Sequence, residues 1–357
     1  MARWGSWSGL HITVDIELTN RCNAACSFCP REKTPHQGLM SDETFCCALE
    51  RAVEHRDVVE HVFPDSRFNV VFCGMGEPLL HPRVVEYARR ATAAGLEVHL
   101  STNGSLLDDA TGRALLDAGV RAVFLNIGDH GADYEAVYRL PFERTRDRVV
   151  AFARMARQRC RVVAVLVDHR NDPGHLDAMR SYWAGLGIEG AHVHALNNRG
   201  GSLHVEHMQY DEHPYVVPAW EALDHEVGTP MCEVPFHRMF IGYDGRYYLC
   251  SSDWEKRANV GSVFEGSLLD ATQERAARAA DRSPVCRTCS LDPTNRLAEA
   301  LAEAEDGGMD EASIDEALRA AVTRVAVAHR AAVSLGATVP AGTRPQRPPT
   351  RIPVIPG

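Results

Sequence analysis

The stretch Glu17-Leu-Thr-Asn-Arg-Cys-Asn-Ala-Ala-Cys-Ser-Phe-Cys-Pro30 contains the most informative residues of this chain. It follows an apolar run that predicts a first β-strand, and it places Cys22, Cys26 and Cys29 within eight residues. Three thiolates can hold three irons of a four-iron cluster, whereas iron–sulfur clusters normally have four cysteine ligands. Because no fourth cysteine follows closely, the spacing predicts a cluster in which one iron is left open for another ligand.

Two other uses of three close cysteines agree less well with the rest of the sequence. A structural zinc site takes four ligands, commonly as two Cys or Cys/His pairs. A disulfide framework is typical of short secreted chains, whereas this chain has 357 residues and starts without an apolar signal-peptide segment. Eleven cysteines without an export signal predict a reducing cytoplasm in which thiols serve as ligands.

The spacing Cys-x3-Cys-x-aromatic-Cys resembles the signature of the radical S-adenosylmethionine (SAM) enzymes. In that family the open iron chelates the amino and carboxylate groups of SAM, and the reduced cluster splits SAM to a 5′-deoxyadenosyl radical. The resemblance implies a [4Fe–4S] cluster on Cys22, Cys26 and Cys29, with SAM as a further cofactor. It also implies a place near the adenine for the loop around Phe28, the aromatic position of the signature; simple packing of the ring is the alternative.

Composition limits the class of protein and its partners. A hydrophobic content of 45% and 357 residues predict one large domain with a smaller one, built around a real core. No apolar run approaches the roughly 18 residues that span a bilayer, so we expect no membrane partner. The net charge of −10, from 38 Lys and Arg against 48 Asp and Glu, argues against a nucleic-acid backbone as partner.

The chain alternates apolar strand-like runs with helical stretches, which predicts a parallel sheet covered by helices. The six predicted strands are 11–18, 69–73, 97–101, 122–127, 161–167 and 191–196. The predicted helices are 41–61, 82–94, 108–118, 146–158 and 176–185. The fold class is therefore α/β, and six such units resemble the partial (β/α)6, TIM-like barrel of the radical SAM family. Functional residues of parallel barrels lie at the carboxyl ends of the strands, where the cysteine loop also lies.

Five segments follow from this organisation. We expect a radical SAM partial barrel over residues 1–200, a linker rich in Gly, His and Pro over 201–231, and an auxiliary-cluster domain over 232–295. Residues 296–335 are rich in Ala, Glu and Arg and predict a helical extension, with a break between two helices at 306–310. Residues 336–357 are Pro-rich and predict a disordered tail.

A glycine-rich segment, Cys73-Gly-Met-Gly-Glu-Pro78, follows the second predicted strand. It resembles the Gly-Gly-Glu-Pro segment of the radical SAM family, with Met in place of one Gly. There the backbone and the Glu recognise the amino group of SAM, because glycines permit close approach and a carboxylate pairs with an ammonium. The resemblance implies cofactor-binding roles for Gly74, Gly76, Glu77 and Pro78.

The tetrapeptide Ser-Thr-Asn-Gly closes the third predicted strand, and family members often carry it near SAM. It implies cofactor-binding roles for Ser101 and Asn103, with an ordinary Asn-Gly turn as the alternative. Asn126 ends the fourth strand, where relatives usually show Ser-x-Asp-Gly. This departure weakens the comparison, although an Asn can still donate a hydrogen bond to a ribose or a carboxylate.

Two more cofactor-binding candidates lie in loops. Arg139 is a candidate partner for the SAM carboxylate, and a solvated surface Arg is the alternative. Asn197 lies in the segment Asn-Asn-Arg-Gly-Gly after the sixth strand. We consider it a candidate contact for adenine, with a plain Gly-rich loop as the alternative.

A second set of cysteines, Cys232, Cys250, Cys286 and Cys289, follows the barrel region. An alternating run around Asp-Gly precedes Cys250 and predicts a β-hairpin. The arrangement resembles the C-terminal auxiliary-cluster domains of radical SAM enzymes, the short "twitch" form more than the longer SPASM form, because no cysteine follows Cys289. It implies an auxiliary [4Fe–4S] cluster with four cysteine ligands; a structural zinc site is the alternative.

Candidate catalytic residues are Cys73, beside the glycine-rich segment, and Asp168 and His169 at the end of the fifth strand. His194, near the end of the sixth strand, faces the same mouth if the barrel forms. Cys73 is a candidate hydrogen donor, whereas the other residues can bind substrate or take a proton.

The resemblance implies an oxidoreductase that abstracts hydrogen from a small-molecule substrate and takes electrons from a flavodoxin or ferredoxin. Relatives with auxiliary clusters act mainly on amino sugars and aminocyclitols of antibiotic pathways, or on ribosomally made peptides. Only 21 residues precede Cys22, too few for a leader-binding domain, so we expect an aminoglycoside-type substrate and dehydrogenation of an alcohol carbon. Epimerisation with a Cys donor, peptide maturation and a non-enzymatic zinc-binding protein are the alternatives.

Overall fold

One mixed sheet organises the computed structural model, which describes residues 11–210 and 213–341. The strands are β1 (His11–Ile16), β2 (Arg67–Phe72), β3 (Val98–Thr102), β4 (Ala122–Asn126), β5 (Arg161–Asp168), β6 (Gly190–Ala195), β7 (Arg238–Ile241), β8 (Arg246–Tyr248) and β9 (Asn259–Ser262). Their order is β6-β5-β4-β3-β2-β1-β7-β8-β9, and β1 to β6 are all parallel. The six predicted strands are confirmed with ends within two residues, and the sheet is open, as in a partial barrel.

The helices of the described residues are α1 (Asp42–Val62), α2 (Val84–Ala93), α3 (Asp109–Asp117), α4 (Gly131–Tyr138), α5 (Phe142–Ala156), α6 (Pro173–Gly185), α7 (Val216–Val227), α8 (Val234–His237), α9 (Thr272–Ala280), α10 (Pro284–Arg287), α11 (Pro293–Glu305) and α12 (Glu311–Ser334). They include a first group, α1 to α6, that packs on the parallel strands. The five predicted barrel helices are confirmed, whereas α4 lies where no helix was expected. Ser41 caps α1 by accepting a hydrogen bond from Thr44 N at 3.0 Å, so the sequence signal for that helix start is correct.

The two faces of the central strands differ in polarity. Ile12, Val14 and Ile16 of β1 are fully buried in the core shared with the helices. The alternate residues point to the opposite face because successive side chains alternate along a strand. There Thr13 donates to Asn69 Oδ1 of β2 at 3.2 Å, and Asp15 is fully buried. The interior of the partial barrel is therefore polar, which suits a polar ligand.

The predicted hairpin before Cys250 is confirmed, and it continues the barrel sheet. Strands β7 and β8 are antiparallel around a turn in which Gly245 has φ +77°, a conformation that favours glycine. β7 also pairs in parallel with β1, from Thr13 opposite Arg238 to Ile16 opposite Ile241. The hairpin thus covers what would otherwise be an open edge at β1.

The C-terminal helices form a separate apolar cluster with α7. α11 and α12 flank the predicted break at 306–310, and both pack on α7 through Leu223, Leu297 and Val325. The structure differs here from the expected linker over 201–231, because α7 lies within it; the high Gly, His and Pro content concealed its apolar face. Most of the predicted tail, residues 342–357, lies outside the described residues. In the described part of the chain, no helix has the length and apolarity needed to cross a bilayer.

Candidate active site

The first cysteine loop lies at the carboxyl end of β1 and is held by the end of α4. Ala25 N donates to Tyr138 O at 3.2 Å, and Ser27 N donates to Val137 O at 3.0 Å. Arg31 Nη1 donates to Cys22 O at 3.2 Å and closes the loop on the other side. Backbone contacts therefore fix the loop, and they leave the three thiols available as ligands.

The three thiols lie in a shielded environment and interact with one another. Burial raises the pKa of Cys26 to about 12, and neighbouring Cys29 and Cys22 add to the rise. Burial also raises the pKa of Cys29 to about 11, although nearby Arg199 opposes the rise. Clustered thiols of this kind bind metal as thiolates, because a bound cation removes the cost of their charge. This donor set fits a cluster with three cysteine ligands.

The glycine-rich loop after β2 packs directly on the cysteine loop. A Cβ on Gly76 would lie 2.4 Å from the carbonyl oxygens of Thr19 and Arg21, so only glycine allows this approach. Gly74 has φ +138°, and a Cβ there would lie 2.7 Å from Glu17 Cγ. The two predicted cofactor-binding glycines are thus where the two loops touch.

Glu77 connects this loop to the end of β3. Its carboxylate is buried and accepts hydrogen bonds from Thr102 Oγ1 at 2.7 Å, Asn103 N at 2.7 Å and Leu79 N at 3.0 Å. Burial raises the pKa of Glu77, and the three hydrogen bonds oppose the rise. Pro78 begins a short 3-10 helix and is also buried. The carboxylate therefore organises two predicted SAM-binding loops, which is compatible with its predicted contact to the SAM amino group.

The remaining predicted cofactor-binding residues of β3 and β4 are neighbours. Asn103 Nδ2 donates to Asn23 Oδ1 of the cysteine loop at 3.0 Å. Asn126 Nδ2 donates to Ser101 Oγ at 3.1 Å across adjacent strands. Arg139 is exposed at the end of α4, directly after the residues that hold the cysteine loop. Their roles toward SAM stay predictions.

A charged cluster lies beside Phe28 at the ends of β4 and β5. The Phe28 ring stacks on His169 with centroids 5.6 Å apart, and His169 Nε2 lies 2.9 Å from Asp129 Oδ2. His175 Nε2 and Arg170 Nη2 lie 3.0 and 2.9 Å from Asp129 Oδ1. Burial opposes the charged form of Asp129, but the hydrogen bond from His169 and the neighbouring cations lower its pKa.

The other two predicted catalytic residues lie apart from this cluster. Asp168 is half-buried and accepts a hydrogen bond from Asp172 N at 3.3 Å. The Cys73 thiol interacts with Asp15 and Arg238. Burial raises the pKa of this thiol, and the negative charge of Asp15 raises it further. Arg238 Nε lies 2.6 Å from Asp15 Oδ2, so the thiol adjoins an ion pair on the interior face.

The second cysteine set is brought together from three segments of the chain. All four sulfur-bearing residues are buried and line one cavity with apolar neighbours such as Val285 and Leu291. The turn that holds two of them is fixed by Asn295, whose Nδ2 donates to Cys286 O at 3.2 Å and to Cys289 O at 2.9 Å. Four buried thiols around one cavity fit a cluster closed by four cysteine ligands.

The loop after β6 packs on the second cysteine set. Asn198 Nδ2 donates to Thr288 O at 2.6 Å, and Gly200 N–H forms a hydrogen bond with the Cys289 sulfur. Asn197, the predicted adenine contact, is half-buried and accepts a hydrogen bond from Arg199 N at 3.1 Å. The loop therefore packs on the second cysteine set, a contact that the sequence did not indicate.

Two family models match the chain in the regions that contain these sites. The model of the radical SAM superfamily matches residues 16–180, and that of an iron–sulfur cluster-binding domain, SPASM, matches residues 232–290. The chain therefore contains a radical SAM domain followed by a SPASM domain. The two domains imply a SAM-binding [4Fe–4S] cluster and an auxiliary cluster, which favours iron–sulfur over zinc at the second set. The assignment of Cys22, Cys26 and Cys29 as the ligands of the first cluster stays a prediction.

Relatives of this radical SAM protein align mainly over the barrel. A tungsten-containing aldehyde ferredoxin oxidoreductase cofactor-modifying protein from Pyrococcus furiosus is 31% identical over 113 residues, which are 31% of this chain and 29% of that protein. A PqqA peptide cyclase from Xanthomonas campestris is 32% identical over 210 residues, 54% of this chain and 50% of that protein. The chain thus spans half or less of these relatives.

A solved structure supports the fold over most of the chain. The structure of anSMEcpe with bound AdoMet has a TM-score of 0.53 and 13% identity, and the match covers 91% of this chain and 99% of that one. The partial barrel with a C-terminal auxiliary domain is therefore confirmed as the fold.

Several residues of the site were missed by sequence reasoning. Asp129 lies within the motif after β4, but only the structure shows that it contacts His169. Glu17 and Lys256 form a buried ion pair between the glycine-rich loop and the auxiliary region, at 2.5 Å. Arg199 lies over the ring of Trp254, which belongs to an apolar cluster that Cys29 packs against. For Glu17 and Asp129 the sequence did contain a signal of a site residue, namely a polar side chain near the end of a predicted barrel strand.

Proposed function

We propose that this radical SAM protein oxidises an alcohol carbon of a small polar substrate, an aminoglycoside-type amino sugar or aminocyclitol, to a ketone. The observation that carries the proposal is that the loop after β6 packs on the second cysteine set and carries Arg199, whose charge interacts with those of both sets. Gly200 N–H contacts Cys289, and the neighbouring Arg199 acts on the charges of both Cys29 and Cys289. A second, closed cysteine site so near the first supports a role as electron acceptor.

The proposed reaction balances in atoms and electrons. The bound cluster and SAM supply one 5′-deoxyadenosyl radical for each electron received from a flavodoxin or ferredoxin. One hydrogen atom leaves the carbinol carbon for that radical, the hydroxyl proton leaves to a base, and the remaining electron passes to the auxiliary cluster. The carbon–oxygen single bond becomes a double bond.

The charged cluster beside Phe28 contains the proposed proton acceptor. His169 is held through Nε2 by the buried Asp129 carboxylate, an arrangement that orients the imidazole ring. The stacking of Phe28 on the same ring connects the acceptor to the cysteine loop. The polar interior face, with Asn126 and Ser101, supports a substrate rich in hydroxyl groups.

Peptide modification is the second candidate function. A PqqA peptide cyclase from Xanthomonas campestris is 32% identical over 210 residues. That match covers 50% of the relative, so the whole activity of that protein does not transfer directly.

Product analysis tests the proposal and its competitors in one experiment. The anaerobically reconstituted enzyme is incubated in D2O with SAM, dithionite and a panel of amino sugars, aminocyclitols and short peptides. A sugar product two mass units lighter, with a carbonyl group, supports dehydrogenation. A product one mass unit heavier, with deuterium on carbon, indicates epimerisation, for which Cys73 is the candidate donor. Reaction of peptides alone overturns the substrate class.

A further inference from the structure

Arg199 is a half-buried cation that forms no ion pair with a carboxylate of the described residues. Burial lowers its pKa, and the neighbouring charges with the largest effect on it are those of Cys29, Arg238, Cys289 and Cys26. Its Nε is buried and has no hydrogen-bond acceptor within the described part of the chain. Such a group normally pairs with an anion, because burying an unpaired charge is costly.

The backbone around Arg199 is fixed on the auxiliary site. Ser290 N donates to Asn198 Oδ1 at 3.0 Å, and Asn198 N donates to Ser290 Oγ at 3.1 Å. Gly200 O accepts hydrogen bonds from Thr288 Oγ1 at 2.8 Å and from Arg257 Nη2 at 3.2 Å. Arg199 itself has φ +51°, a left-handed conformation that costs energy in a non-glycine residue.

The side chain is positioned as firmly as the backbone. Its guanidinium carbon lies 5.9 Å from the centre of the Trp254 ring, in a cation–π contact. Trp254 belongs to an apolar cluster against which Cys29 of the first set packs. On the other side the Gly200 backbone packs closely on the second set, since a Cβ there would lie 2.7 Å from Ser252 O and 2.9 Å from Val285 Cγ1. The strained loop thus holds one positive charge beside both sets of cluster ligands.

We propose that Arg199 raises the reduction potentials of both bound clusters and lowers the electrostatic repulsion between them. Each cluster with its thiolates is anionic and gains a further negative charge on reduction. A fixed neighbouring cation favours the reduced form, and charges and hydrogen bonds around the sulfurs are known determinants of cluster potential. Arginine suits this role because its guanidinium stays charged when buried. The inference depends on the two-cluster assignment and is independent of the substrate.

Arg31 provides a matched control within the chain. It lies on the first cysteine loop, where its Nη1 donates to Cys22 O at 3.2 Å, and its charge acts on Cys22, Cys26 and Cys29. Neutralising Arg31 should therefore affect the first cluster only, and neutralising Arg199 should affect both.

The experiment is an anaerobic potentiometric titration followed by EPR, on reconstituted holoenzyme with measured iron content. The variants are Arg199→Gln, Arg199→Lys and Arg31→Gln, with Arg199→Met as a second neutral form should Gln disturb the loop. The same variants are also made in a protein that carries Cys22→Ala, Cys26→Ala and Cys29→Ala. That protein lacks the first cluster, so its titration gives the potential of the auxiliary cluster alone. We expect Arg199→Gln to lower the reduced-to-oxidised ratio of each cluster about tenfold at a fixed potential, equivalent to ~59 mV for one electron.

The charge-retaining variant and the control decide between explanations. Arg199→Lys should stay near the wild-type potentials, and Arg31→Gln should lower only the first. The proposal is wrong if Arg199→Gln and Arg199→Met leave both cluster potentials unchanged. It is also wrong if Arg199→Lys shifts the potentials as much as Arg199→Gln does. Unchanged potentials combined with a raised KM would make Arg199 a substrate anchor and also overturn it. None of these results depends on whether the product is a ketone.

Discussion

The ion pair between Lys256 and Glu17 gives the sharpest test of how the auxiliary region supports the SAM site. Lys256 Nζ lies 2.5 Å from Glu17 Oε2, and the two side chains are 5% and 0% exposed. Glu17 Oε1 also accepts a hydrogen bond from Met75 N, in the glycine-rich loop, at 3.0 Å. Lys256 is further held over the Tyr243 and Tyr248 rings, at 4.7 and 4.9 Å. One contact therefore joins β1, the glycine-rich loop and the auxiliary region.

Replacing Lys256 by Met leaves the Glu17 carboxylate buried without its counter-ion. Loss of one partner of a buried pair costs about 3–5 kcal/mol, because the remaining charge stays desolvated. The double variant Lys256→Met/Glu17→Gln removes that charge and should recover more than half of the loss. We also expect weaker SAM binding in the single variant, since Glu17 positions Met75.

Anaerobic urea unfolding of the reconstituted protein measures the loss, and equilibrium dialysis measures SAM binding. Arg113→Met is the control, because the Arg113–Asp109 pair is 65% and 66% exposed and its loss should leave stability almost unchanged. A loss of unfolding free energy below about 1 kcal/mol for Lys256→Met would show that the ion pair does not have the predicted stabilising effect. So would a double variant as unstable as the single one.

Three further predictions concern the cofactor loops, the second cluster and pH. Glu77→Gln should weaken SAM binding roughly 10- to 100-fold by dialysis, because the hydrogen bonds from Thr102 and Asn103 lose their charged acceptor; an unchanged affinity would contradict this. Cys289→Ala should halve the iron content of the reconstituted protein, from about eight to about four per chain by colorimetric assay, and a full complement of iron would exclude Cys289 as a ligand. Burial lowers the pKa of His55 to about 3, so the folded state keeps it neutral while the unfolded state protonates it below its usual value near 6.5. Stability should therefore fall by about 1 kcal/mol between pH 7 and 5.5 through His55, and His55→Leu should reduce the slope in urea titrations; a slope equal to wild type would place the acid sensitivity elsewhere.

The parts of the fold that the sequence predicts well are those set by local patterns. The strands of the barrel have continuous apolar runs, and the cysteine loops have fixed spacings. Each can therefore be recognised from about ten consecutive residues. The start of α1 is readable for the same reason, through Ser41 and the apolar positions that follow it. α7 was missed because the Gly, His and Pro residues around it resemble a linker, while its stability comes from packing on α11 and α12.

The parts of the site that the sequence does not predict depend on distant contacts. Glu17 and Lys256 are 239 positions apart, and nothing in either neighbourhood indicates the other. His169 was predicted as a catalytic candidate, but its partner Asp129 lies 40 positions earlier on another strand end. Pairing of β7 with β1 likewise joins the auxiliary region to the barrel only in three dimensions.

Deuterium transfer to 5′-deoxyadenosine measures directly whether the enzyme abstracts hydrogen from a carbinol carbon. Amino sugars and aminocyclitols that carry deuterium at each carbinol carbon are incubated with the reconstituted enzyme, SAM and reductant, and 5′-deoxyadenosine is examined by mass spectrometry. For oxidation of an alcohol carbon we expect one deuterium in 5′-deoxyadenosine from one carbinol position, with one ketone formed for each SAM cleaved. No deuterium from any of these sugars, with transfer from a deuterated peptide under the same conditions, would contradict it.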